Sequence, residues 1–215
     1  MFRIIIYFII LLLGFSCTKD RIIPQEPTII DGELAVINFW DFNTTNPSDI
    51  LIPSESVTKG ELTYFGNEIQ LEYCDGGNQS CWETVNDGTD LNALETTVSG
   101  RALRLRNPAD ELIISSSTAG FYDIETSFAV KRTGSGAQTL HLFYTTDGSN
   151  FGYAGLEENV FTVTEDYQLI ELDLTNIAAA NNNPQFKLKI VFKDGNNNNS
   201  GNTRFDNLLI TGKSL

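Results

Sequence analysis

Residues 186–193, Phe186-Lys187-Leu188-Lys189-Ile190-Val191-Phe192-Lys193, decide the fold. Phe186, Leu188, Ile190 and Phe192 recur at every second position, with lysines at most of the positions between. Successive side chains of an extended strand point to opposite faces, so this period of two is a half-buried strand. Leu103 and Leu105 against Arg104 and Arg106 repeat the pattern, as do Ile170, Leu172 and Leu174 against Leu169, Glu171 and Asp173. Working outward, strand-like runs cover 35–42, 62–65, 68–73, 102–106, 111–115, 122–132, 138–145, 160–163, 167–174 and 203–211. Between them stand clusters of turn chemistry: Asp75-Gly-Gly-Asn78, Asn86-Asp-Gly-Thr89, Gly134-Ser-Gly136, Asp147-Gly-Ser-Asn150 and the polar stretch 194–201, which contains the loop tip Asn196–Asn199. No long amphipathic helix is written anywhere; 174–180 makes one or two turns at most. Short strands joined by polar turns predict an all-β fold, one antiparallel β-sandwich over 34–215.

The first residues carry a different message. Arg3 precedes an apolar run from Ile4 to Leu13, and Gly14-Phe15-Ser16-Cys17 follows. A basic start, a short apolar stretch and small residues before a cleavage point make an export signal over 1–16. Ten apolar residues rise about 15 Å as a helix, half of a hydrocarbon core of about 30 Å, so the run does not span a membrane stably. The Ser16-Cys17-Thr18-Lys19-Asp20 wording resembles the lipobox of bacterial lipoproteins, those of the Bacteroidetes in particular. The resemblance implies a diacylglycerol on the Cys17 thiol and a further acyl chain, such as palmitate, on the new amino terminus. Two or more chains anchor stably where one is marginal. The competing reading is a plain secretory signal with Cys17 as an ordinary residue. Residues 17–33, with Pro24 and Pro27 and no period, read as the lipidated cysteine and a flexible tether. The implied address is the outer membrane or cell surface.

The net charge is −14, and removal of 1–16 takes away Arg3 and no acid. So acidic a chain excludes nucleic acid as a partner, because phosphates demand a basic surface. With Cys17 assigned to lipid, Cys74 and Cys81 are left as a pair in an oxidising compartment and read as a disulfide. Closing so short a loop stabilises by about 2.5 kcal/mol if native strain is low. A Cys–Cys metal pair is the alternative, but structural zinc takes four ligands and the chain has a single His.

The two ends of the sandwich add a topological hint. Phe39-Trp40-Asp41-Phe42 opens the domain and Arg204-Phe205-Asp206-Asn207-Leu208-Leu209-Ile210 closes it. This wording resembles the jelly-roll modules of Bacteroidetes surface and secreted proteins, which are similar to carbohydrate-binding modules and adhesive sandwiches. The resemblance implies a jelly-roll-like fold whose first and last strands are neighbours. It also implies a structural Ca²⁺ near the paired ends, with Asp41 and Asp206 as candidate ligands, hard oxygen donors of the kind the ion takes. The plainer reading is that each Asp caps a turn. Stacking of rings on sugar C–H faces gives the aromatics a second use. Tyr73 and Trp82 flank the Cys74–Cys81 loop and are the candidate ligand contacts. Tyr122, Tyr144, Phe151 and Tyr153 lie at or near other loops, while Trp40, Phe39, Phe128, Phe143, Phe186, Phe192 and Phe205 read as core.

Catalytic chemistry finds little support in the sequence. His141 shares a strand face with Thr139 and Phe143 and points outward or makes one core hydrogen bond. No Gly-x-Ser-x-Gly turn is present. The adjacent acids Glu157-Glu158, Glu165-Asp166 and Asp110-Glu111 diverge to opposite faces of their strands and read as solvated charge. The expectation is a non-catalytic, lipid-anchored surface protein that binds an extracellular ligand, a glycan first. The alternative is a structural or assembly subunit docked on an outer-membrane protein partner. Cys17→Ala should move the protein from the membrane to the soluble fraction; a variant that stays with membranes through a carbonate wash refutes the lipid anchor.

Overall fold

The computed structural model describes residues 32–66, 82–95, 97–196 and 200–215. Cys17, Tyr73, Cys74 and Cys81 lie outside the described residues. Among the described residues twelve strands run in the order β1 (Leu34–Trp40), β2 (Glu55–Ser56), β3 (Gly60–Gly66), β4 (Trp82–Val85), β5 (Ala102–Arg106), β6 (Ala109–Ser116), β7 (Phe121–Arg132), β8 (Thr139–Thr145), β9 (Val160–Thr162), β10 (Gln168–Asp173), β11 (Lys187–Lys193) and β12 (Asn202–Ser214). One helical turn, α1 (Pro47–Ile50), follows β1, and a 3₁₀ turn covers Ala178–Ala180. Asn46 caps α1 by accepting from the Ser48 N–H at 3.3 Å.

Two antiparallel sheets result, so the all-β sandwich is the fold. The first has the order β10-β7-β12-β1-β2, with β5 also on β12 and β4 on β5; the second has the order β3-β6-β11-β8-β9. First and last strands are neighbours, Leu34 lying opposite Lys213 and Trp40 opposite Leu208. Alternation assigns the faces as the sequence predicts. In β11, Leu188, Ile190 and Phe192 are buried between the sheets and Lys187 and Lys189 are not. Ile170, Leu172 and Leu174 are likewise buried. Phe128 and Phe205 pack with ring centroids 5.4 Å apart, and Phe192 meets Phe205 edge-on at 5.8 Å, joining the sheets.

β12 changes neighbour along its length. Residues 202–205 pair with β5 and residues 208–213 pair with β1, while β7 follows the other flank almost throughout. Between the two pairings β12 bulges at 206–209, and Asn207 takes a positive φ of 48°. An extra residue in one strand breaks the ladder locally and re-aims the side chains beside it. This bulge presents Asp206 and Asn207 to the loop 86–101, which crosses the gap between β5 and β1.

Two expectations need correction. Phe143 is not in the core: Leu140 and Leu142 are the buried apolar residues of β8, so strand parity turns Phe143 outward beside Thr139 and His141. β2 and β4 were not anticipated, being two and four residues long with no readable period.

Candidate functional site

The outer face of the five-stranded sheet brings three aromatic rings together with a charged pair. Cross-strand register builds it in rows. Thr63, Ile113, Lys189 and Phe143 form one row across β3, β6, β11 and β8. Phe65, Glu111, Val191, His141 and Val160 form the next, reaching β9. On β6, β8 and β11 each alternates with a buried inward residue, so the face is fixed by the same period that builds the core.

The loop after β8 folds back over this face. Tyr144 and Gly152 exchange backbone hydrogen bonds at 2.8 and 2.9 Å, closing a hairpin over 145–152. Asp147 holds its tip: it accepts from the N–H groups of Ser149 at 2.9 Å and Asn150 at 2.7 Å, and from the Thr145 hydroxyl at 2.8 Å. Hydrogen bonds from Asn150, then Ser149 and Thr145, keep the Asp147 carboxyl well below the usual carboxylate range. Gly148 supplies the positive φ of 79° that the turn needs. Tyr144 Oη donates to the Ala154 carbonyl at 2.5 Å, tying down the far side.

Phe151 and Tyr153 are thereby set beside Phe143. Phe143 and Tyr153 meet edge-on at 6.0 Å. Lys189 Nζ lies 4.6 Å from the Phe151 centroid and 5.6 Å from that of Phe143, and 3.3 Å from a Glu111 oxygen. Tyr153 is 57% exposed, Val160 41% and Phe65 36%. The result is an aromatic corner with one ring open to solvent and a charged pair at its foot. Rings whose neighbours already fix them lose little freedom on stacking a ligand, and Lys189 and Glu111 supply a donor and an acceptor to its rim.

Asp206 is the second feature. It is 1% exposed, and its two oxygens accept from the Thr89 N–H at 2.7 Å and the Asn207 N–H at 2.9 Å. Burial pushes its pKa up to about 7; the bonds from Thr89 and Asn207 oppose the rise, and the charges of Asp41 and Asp87 add to it. Asp41 accepts from Asn43 N–H at 3.1 Å and from Ser54 Oγ at 2.5 Å. Asp87 is engaged by Lys131 at 2.7 Å and by Arg204. Partial burial alone would raise Asp87; the bonds to Lys131 and Arg204 carry it below the ordinary carboxylate range. The two sequence-singled acids, Asp41 and Asp206, are therefore close enough to feel each other's charge. Among the described residues no three His, Cys, Asp or Glu converge on one point. A hard cation at Asp41 and Asp206 would complete its shell from amide and backbone oxygens, and would relieve the crowding of like charge.

The other candidate contacts fall elsewhere. The Trp82 backbone is on β4 in the seven-stranded sheet, opposite Leu105, and its side chain is outside the described ones. The aromatic corner is in the other sheet. The ring set Phe143, Phe151, Tyr153 and the pair Lys189–Glu111 were not assembled by sequence reasoning. Strand parity in 138–145 was the available signal.

The sequence matches no protein-family profile and no curated protein sequence. In structure the chain is similar to the K1 cleaved adhesin domain of Lys-gingipain from Porphyromonas gingivalis W83, at 10% identity and a TM-score of 0.47, covering 83% of this chain and 98% of that one. It is similar to the CBM22-1 xylan-binding domain of Xyn10C from Paenibacillus barcinonensis, at 11% identity and a TM-score of 0.46, covering 86% and 97%. It is also similar to part of the enzymatically active domain of bacteriophage CBA120 tailspike protein 4, at 12% identity and a TM-score of 0.41, covering 80% of this chain and 20% of that one. These likenesses concern the sandwich fold.

Asp206 makes stability depend on pH. Its folded pKa lies near 7 and its unfolded value near 3.8, so between those limits the folded state keeps a proton that the unfolded chain releases. That contribution is complete below pH 3.8 and is lost as the pH rises through about 7. In chelator-containing buffer the melting temperature should fall from pH 5 to pH 8, and Asp206→Asn should flatten the slope. A wild-type profile level over that range would show that Asp206 is ionised throughout.

Proposed function

We propose that this protein is a non-catalytic, lipid-anchored surface protein that binds a glycan on the outer face of its five-stranded sheet. The observation that carries the reading is the aromatic corner of Phe143, Phe151 and Tyr153 above the Lys189–Glu111 pair. A ring face exposed beside polar donors and acceptors suits a pyranose, apolar on its C–H faces and polar around its rim. His141, in the adjoining row of the same face, adds a further hydrogen-bonding group. Cys17 would carry the lipid and residues 18–33 would lift the domain from the outer membrane. Tyr73 and Trp82 are a second proposed contact pair, the Trp82 backbone lying on β4 of the other sheet.

Asp41 and Asp206 are proposed as carboxylates of a structural Ca²⁺ site. The support is a buried acid with two like charges nearby, a setting that a cation stabilises. At pH 8, millimolar Ca²⁺ should raise the melting temperature by several degrees over chelator, and the Asp206→Asn variant should not respond. An equal response in both proteins would place the ion elsewhere.

Tyr153→Ala tests the glycan reading. The side chain is largely outside the core, so the melting temperature should change by less than about 2 °C. Binding across an array of plant, microbial and host glycans should drop at least tenfold, a stacked ring being worth about 1.4 kcal/mol or more. Wild-type protein that retains no glycan at all would favour the assembly-subunit alternative.

A further inference from the structure

The open face continues along β11 into a cavity at the ends of β3, β6 and β11, with a volume of about 370 Å³. Ile52 and Pro184 form apolar walls, and Lys59, Lys187, Gln185 and Glu61 bring polar groups to it. Lys187 stands two residues before Lys189 on the same face of β11, about 7 Å along the strand. The cavity is thus the next position along the face that holds the aromatic corner.

The cavity gathers two lysines that no carboxylate among the described residues neutralises. Lys131, Lys189 and Lys213 each pair with a carboxylate, at 2.7, 3.3 and 2.9 Å. Among the described residues no carboxylate pairs with Lys59 or Lys187, and Glu61, on the same rim, makes no ion pair with either. In a chain of net charge −14, acids are abundant enough to neutralise almost any surface lysine. Two lysines outnumber the one acid, Glu61, in this partly apolar recess, and neither is paired with it, so the recess forms a local site for an anion. The protonated amine is a compact point charge with three donors, suited to a carboxylate or a sulfate alike. Apolar walls thin the water around it and strengthen the attraction.

We infer that this cavity receives the anionic substituent, a uronate carboxylate or a sulfate ester, of a glycan whose rings stack on the aromatic corner. The inference rests on the glycan reading and narrows it to acidic polysaccharides. Affinity electrophoresis in gels containing polygalacturonate, chondroitin sulfate, xylan or a mixed-linkage glucan tests it at low and high salt. Wild-type protein should be retarded most by one of the two acidic polymers, and the better one identifies carboxylate or sulfate. Retardation should weaken with salt, as it does for exposed charge. The double variant Lys59→Gln, Lys187→Gln should lose about tenfold in affinity for the acidic polymer and much of the salt dependence, with neutral polymers and melting temperature unaffected. Lys187→Arg, which keeps the charge, should retain most of the binding. Neutral polymers bound as tightly as acidic ones, or a double variant with unchanged affinity, would overturn the inference and leave the glycan reading standing. No retardation by any of the four overturns both.

Discussion

The change of neighbour along β12 is the constraint on which the rest of the seven-stranded sheet depends. One strand of 13 residues serves β5 with its first part and β1 with its second, while β7 holds its other edge. At the changeover the ladder has a gap, and backbone groups there must find other partners or pay a desolvation cost. Asp206 and Asn207 close it. Asn207 donates to the carbonyls of Thr89 and Leu91 at 2.8 and 3.0 Å, Asn92 donates back to the Asn207 carbonyl at 2.6 Å, and Asp206 accepts from Thr89. Asn43 takes the Arg101 N–H at 2.7 Å, fixing the far end of the same loop beside β1. The Phe-Asp-Asn wording thus has a mechanical meaning: Phe205 enters the core, and the next two residues bind the loop that covers the seam.

The opposite sheet shows how a rigid frame prepares a binding surface. Its outward side chains are spaced by strand register, so their separations follow from backbone hydrogen bonds and not from the side chains themselves. The hairpin over 145–152 then adds two rings that no strand could place, since they approach the sheet from above. Asp147 accomplishes this with a single carboxylate, gathering the Thr145 hydroxyl and the backbone and side-chain donors of Ser149 and Asn150 at the tip. Lys189 is held between Glu111 and two ring faces, which limits the rotamers of an otherwise flexible side chain.

The sandwich was legible because its strands alternate. Residues 102–106 read as a strand and are β5 to the residue, and 160–163 differs from β9 by one. β2 escaped because two residues carry no period, and Trp82-Glu83-Thr84-Val85 escaped because its pairing to β5 is set by the partner strand. Phe143 shows two sequence signals in conflict. Hydrophobicity assigned it to the core, while parity with His141 and Thr139 assigned it to the outer face, and parity prevailed because Leu140 and Leu142 already fill the interior. Asp41 and Asp206 were legible as a pair through the meeting of the domain's two ends. The convergence of Lys59 with Lys187 was not, because residues 128 positions apart meet only through the pairing of β3, β6 and β11.

The ends of the described domain also meet. The Gly32 N–H donates to the Ser214 carbonyl at 3.0 Å, and the Leu215 N–H donates to Gly120 at 2.9 Å beside them. With its two ends in hydrogen-bonding contact, the domain is a nearly closed ring of chain. Residues 32–214 could be spliced into a surface turn of an unrelated host with short joints and neither sheet disturbed, or the ring could be sealed and reopened within the Asn-rich segment 196–199 that follows β11 in sequence. The sandwich is in that sense a cassette, whose place in a longer polypeptide is independent of how it folds.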